Sequence, residues 1–199
     1  MRVCIFFLAF AAGSLMGSQT RKVCQKHPSL EIKGGYFFFS DPKMRKVYDH
    51  GGFDLQFSGT YPIWRWFQFY GSVEYLERSG ASLNGGNQTK IWILPLSAGI
   101  QSLFRMHRRL QYYVTLGPRY FFVHAHTRAS DLDRNLSQSG FGGFLNTGFR
   151  FFPVAHLFFD GFGEYSYQKV HFHASKTNVY GQTTQIGGFA FSAGFGYYF

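Results

Sequence analysis

From Ser29 onward the sequence alternates, apolar residues exchanging places with polar or small ones at every step, in runs bounded by Gly, Pro, Asn, Asp or Ser. A period of two is the mark of strands with one greasy face. Eight runs are legible, at about 29–40, 51–61, 65–77, 90–103, 110–126, 140–151, 157–172 and 186–199. Composition enters as support: 26 Phe, 13 Tyr, 3 Trp and 24 Gly stand where a helical bundle would use Ala, Leu, Glu and Lys. Charged residues make up 15%, against about a quarter in soluble domains. With so many aromatics and so few charges, the chain is not a disordered one.

The connections between runs sort into two kinds that alternate. Long polar stretches around 41–50, 79–89, 127–139 and 173–185 follow the odd runs, and short ones around Pro62, Met106 and Pro153 follow the even runs. In an up-and-down sheet this gathers the long loops at one end and the tight turns at the other, the plan of bacterial outer-membrane barrels. An even number of strands also lets the first pair with the last and close the sheet. The expectation is an all-β fold, an eight-stranded antiparallel up-and-down transmembrane β-barrel over residues 29–199.

One face of the runs carries Leu30, Ile32, Phe53, Phe57, Phe69, Val73, Trp92, Ile100, Leu116, Phe141, Phe159, Phe191 and their like, without a charge. The other carries Glu31, Lys33, Asp54, Glu74, Arg119, Arg150, Asp160 and Glu164 among Gly and Ser. A soluble barrel would show the same period with the apolar face inside. Three features favour apolar-out. The polar face is too poor in charge to cover a wet exterior. Its fillers are small, as a narrow barrel interior requires. Aromatics such as Trp64, Trp66, Tyr112, Tyr113 and Tyr197 gather at the turn end, as membrane girdles do.

Local details add four expectations. Pro95 and Pro118 fall inside strands at similar heights, where a missing donor predicts a bulge. Trp66 sits on the inward parity, which predicts a one-residue shift at the start of the third strand. Gly161 and Gly163 leave the lipid face of the seventh strand thin. The inward charges, five acids and three bases, predict a plug of paired side chains rather than an open pore, with a narrow ion path as the alternative.

The first residues read as an export signal. Arg2 precedes an apolar stretch, Val3 to Ala12, and the small residues Gly13, Ser14, Gly17 and Ser18 follow. Residues 1–17 are expected to be a cleaved signal peptide and 18–28 a short N-terminal segment. Removal takes Cys4 away and leaves Cys24 an unpaired thiol. An export signal argues against nucleic acid as the partner of so basic a chain, net +10. Anionic lipid headgroups and phosphates suit it better.

At the other end, Phe195, Tyr197 and Phe199 share a face and close the chain on an aromatic carboxylate, which resembles the terminal strand signal read by the barrel insertion machinery. With eight strands, a signal and long-short loops, the chain resembles the small outer-membrane barrels of the OmpA transmembrane-domain, OmpX and opacity-protein type. The resemblance implies a cell outer membrane of Gram-negative type, reached through the Sec pathway. It also implies outer-membrane lipids, lipopolysaccharide, periplasmic chaperones and the insertion machinery as partners. It transfers fold and location more firmly than function.

Chemistry is sparse. His124 with His126, and His171 with His173, are same-face pairs at a chelating spacing, but interfacial histidines need no ligand and no cofactor is expected. His173 and Ser175 echo the His-x-Ser of lipid A deacylase barrels, yet no Asp or Glu follows Glu164 to orient the histidine. The expected role is therefore non-enzymatic: structural, or adhesin-like through four long extracellular loops that could meet a host-surface ligand. A lipid A-modifying enzyme built on His173 and Ser175 is the alternative.

Overall fold

The computed structural model of the chain describes residues 21–22, 27–42, 44–45, 51–81, 88–129, 132–172 and 182–199. The expected signal segment 1–17, Cys24, His173 and Ser175 lie outside the described residues. The described residues form ten strands: β1 (Arg21–Lys22), β2 (Ser29–Phe39), β3 (Gly51–Trp64), β4 (Phe67–Ala81), β5 (Gln88–His107), β6 (Leu110–Ala129), β7 (Leu132–Phe151), β8 (Leu157–Phe172), β9 (Gln182–Gln185) and β10 (Gly188–Tyr198). Strands β2 to β8 pair in sequence order, β8 pairs β10, and β10 pairs β2, all antiparallel, so eight strands close a ring. Closure removes the open edges that an eight-stranded sheet would otherwise expose.

The alternation decides the wall. Glu31, Lys33, Asp54, Glu74, Arg119, Arg150, Asp160 and Glu164 are all buried within the ring, while Phe53, Phe57, Phe141, Phe191 and the rest of their face are exposed on its outside. Because side chains swap faces at every residue, a slip of one would reverse this assignment along a whole strand. The interior is not filled by small residues alone. Phe37, Phe39, Tyr70, Tyr113, Phe121, Phe144, Phe158, Phe162 and Tyr198 also point inward and are buried. Glycines stand across from bulky or charged neighbours: Glu31↔Gly196, Lys33↔Gly194, Tyr113↔Gly148 and Arg119↔Gly142 are cross-strand partners. A Cβ on Gly196 would lie 2.3 Å from the Phe158 ring and 2.7 Å from Glu31 Cγ, so the missing side chain is what lets both groups enter.

Several details depart from the sequence reading. The recorded partners pass from Val73↔Leu96 to Leu76↔Ile93, and from Ser97↔Arg119 to Ile100↔Leu116, without a change of register. Pro95 and Pro118 thus open the ladder locally where a donor is missing, and no extra residue bulges out. The register shifts lie instead near the turns, at Pro62/Trp64 and Arg105/His107. Trp66 belongs to the turn that precedes β4 rather than to a shifted strand.

Stretch 127–139 is mostly strand, because β6 runs to Ala129 and β7 starts at Leu132. Past the greasy zone the residues no longer need an apolar face, yet their backbone groups still need partners. Strands of 20 residues rise about 66 Å, and even at ~45° tilt they overtop a hydrocarbon layer about 30 Å thick. The fourth connection likewise returns as β9 against β8, in the register that β10 continues beyond Ile186 and Gly187. At the turn end, β1 in the N-terminal segment pairs with the base of β5.

Candidate functional site

The lumen is stacked in three tiers. The tier nearest the turns is charge-balanced. Lys33 Nζ lies 2.6 Å from Glu31 and 3.4 Å from Asp160. Arg150 reaches Glu31 through one Nη at 2.5 Å, Asp160 through Nε at 3.2 Å, and donates to the Tyr198 hydroxyl at 2.7 Å. Tyr113 donates to the second oxygen of Asp160 at 2.8 Å. Two cations and two carboxylates are thus matched, with hydroxyls taking up remaining acceptor sites, the condition under which buried charges are tolerated. Aromatic faces line the cations: the Arg150 guanidinium sits 4.7 Å from the Tyr113 ring centre and Lys33 Nζ 4.5 Å from that of Phe162. Below them Phe152 stacks on Tyr198 and meets Phe158, closing the turn end.

The middle tier is built differently. Arg119 alone joins Glu74 and Glu164, and its Nε donates to Ser97 at 2.7 Å. Glu74 also accepts from Gln56 at 2.6 Å. Asp54, near by, accepts a long bond from Ser192 at 3.3 Å. One oxygen of Asp54 and one of Glu164 have no hydrogen-bond partner among the described residues. Among the described residues a single cation therefore serves an excess of carboxylates.

The third tier, toward the loops, is apolar. Phe37, Phe39, Leu76, Ile91, Ile93, Phe121, Val123 and Ile186 form one buried cluster, joined by Met44 from the first connection. The charged members of the lower tiers were legible from parity; this cluster was not, because inward apolar residues break the alternation that identifies strands. Their signal is the reversal itself, as in Ile91 and Ile93, which flank outward Trp92.

The structure brings all eight inward charges into the lumen, seven of them in ion pairs and Asp54 in a hydrogen bond. Phe195, Tyr197 and Phe199 lie exposed on the outer wall at the turn end, where Tyr197 stacks on His156. His124 stacks on Trp92 at 4.6 Å. Among the described residues no group of three His, Cys, Asp or Glu is placed to hold a metal ion.

A closed eight-stranded ring, apolar outside and charged within, defines the class of small outer-membrane barrels, and similarity to solved structures agrees with that definition. The chain is similar to the outer membrane protein OprG from Pseudomonas aeruginosa, at 15% identity over 89% of this chain and 97% of that one, with a TM-score of 0.67. It is also similar to Neisserial surface protein A, at 16% identity over 86% and 97%, TM-score 0.57. The attachment invasion locus protein Ail of Yersinia pestis, solved with the heparin analogue sucrose octasulfate, matches at 17% over 88% and 100%, TM-score 0.57. At such identities the shared property is the fold, that of the OmpA, OmpX and Ail type. No protein-family model and no curated protein matches the sequence.

Proposed function

We propose that the chain is an integral protein of a bacterial outer membrane, closed to through-flow, whose long connections form a recognition surface for an extracellular or host-surface ligand. The observation that carries this reading is the wall: exposed Phe, Leu, Ile and Tyr ring the barrel while its buried charges are sealed inside. Such an exterior is soluble only in acyl chains. With the wall committed to lipid and the lumen filled, the loop end is what remains free to bind. Residues 1–17 serve export through the Sec pathway, and Phe195, Tyr197 and Phe199 serve recognition by the insertion machinery after chaperone delivery. Lipopolysaccharide packs around the loop end. The chain is not an enzyme on this reading.

Three measurements test it. The refolded protein should migrate faster unboiled than boiled in detergent gels, and recovery of a freely dissolved monomer would sink the membrane assignment. Planar bilayers containing it should show no stable conductance. A sulfated polysaccharide is the first ligand to try at the loop end. If barrels lacking the long connections adhere to polysaccharide or host cells as well as the intact protein does, the adhesive role fails and a scaffolding role remains.

A further inference from the structure

The rim at the turn end carries a charge that neither the lumen nor the loops use. Arg65 in the turn before β4, Arg105 near the end of β5, and Arg108 and Arg109 in the turn before β6 are all exposed. Strands β3 to β6 are consecutive in the ring, so these turns are neighbours. No described ion pair engages any of the four. The acids of the described residues lie in the lumen or toward the loops. Four exposed arginines on neighbouring turns, with no described acid beside them, suit an anion.

The surroundings indicate which anion. Ile63, Trp64, Trp66 and Met106 are exposed on the same rim. Just inward along the wall, Tyr61, Phe69 and Ile100 form an exposed cross-strand row over β3, β4 and β5. Indoles and tyrosines favour the depth of lipid headgroups, and the row below them faces acyl chains. A soluble polyanion would use the arginines but have no use for an adjoining apolar wall.

We propose that this rim is a binding site for an anionic phospholipid of the turn-side leaflet, its phosphate held by Arg65 and Arg108 and its chains lying along Tyr61, Phe69 and Ile100. The inference rests on the outer-membrane reading and adds a specific ligand to it. The test is native mass spectrometry of the full-length barrel released from bilayers of mixed phosphatidylethanolamine, phosphatidylglycerol and cardiolipin. The wild type should retain phosphatidylglycerol or cardiolipin in preference to phosphatidylethanolamine. Retention should fall about fivefold for each arginine removed in the double variant Arg65→Gln/Arg108→Gln. The control Arg78→Gln/Lys90→Gln, which removes two cations toward the loops, should leave it unchanged.

Equal retention of the neutral lipid overturns the site, as does equal loss in the control. Displacement by inorganic phosphate as effective as by the lipid would reduce it to an anion site and overturn the lipid assignment. Binding of acidic peptidoglycan fragments without any lipid preference would also overturn it. A barrel that never enters bilayers would bring down the outer-membrane reading, whereas an inserted barrel without anionic preference brings down this site alone.

Discussion

The two charged tiers of the lumen solve one problem in different ways. Near the turns, Lys33 and Arg150 face Glu31 and Asp160, and Tyr113 and Tyr198 add hydroxyls. In the middle, Arg119 stands alone between Glu74 and Glu164 with Asp54 close by. The lower tier is redundant: each carboxylate there touches two cations, so losing one leaves a partner. The middle tier hangs on one residue. Buried charge is tolerated only when matched, so the two tiers differ widely in what a single deletion costs.

That contrast is testable by removing one cation from each tier. Arg119→Met removes the base that serves Glu74 and Glu164 and should cost about 5 kcal/mol in urea unfolding of the vesicle-inserted barrel. Arg150→Met leaves Lys33 between Glu31 and Asp160 and should cost less, about 3 kcal/mol. Equal costs for the two variants would mean that the tiers act as one network.

The lower tier's matching also depends on space. Gly196 lies opposite Glu31 and beneath Phe158. Gly196→Val should displace both and destabilise the barrel by about 1–3 kcal/mol, read in the same unfolding experiment. A neutral result would show that the lower tier has room to rearrange and that its geometry is not set by packing.

How far the sequence revealed this arrangement follows from what alternation can and cannot encode. The wall and the eight inward charges were legible because polarity swaps with period two, and a charge on the inward parity has nowhere else to go. The loop-end apolar tier escaped because Ile91, Ile93, Phe121 and Val123 sit inside among equally apolar outward neighbours, where alternation vanishes. The extended tops of β6 and β7 escaped as well. There the apolar alternation lapses, and only backbone pairing, invisible in side-chain type, shows that Asp133 to Ser139 are strand. Inward glycines looked like simple filler. Their role emerges only from register, which sets each one across from a large side chain. The pairing of ions could be anticipated as a requirement, but not which acid would meet which base.

The smallest effect is the most telling about the middle tier. Glu164 is one of two carboxylates sharing Arg119, and one of its oxygens has no hydrogen-bond partner among the described residues. Glu164→Gln keeps the shape and an acceptor for the guanidinium while removing a surplus negative charge. The loss of attraction to Arg119 is offset by relief of repulsion from Glu74 and by cheaper burial of a neutral amide. Stability should therefore change by less than about 1 kcal/mol. The matching change below, Glu31→Gln, takes a carboxylate from two cations at once and leaves Asp160 alone to face both. That variant should be clearly destabilised in the same measurement. If Glu164→Gln proved the more damaging of the two, the middle tier would hold no surplus of charge and the distinction between the tiers would fall.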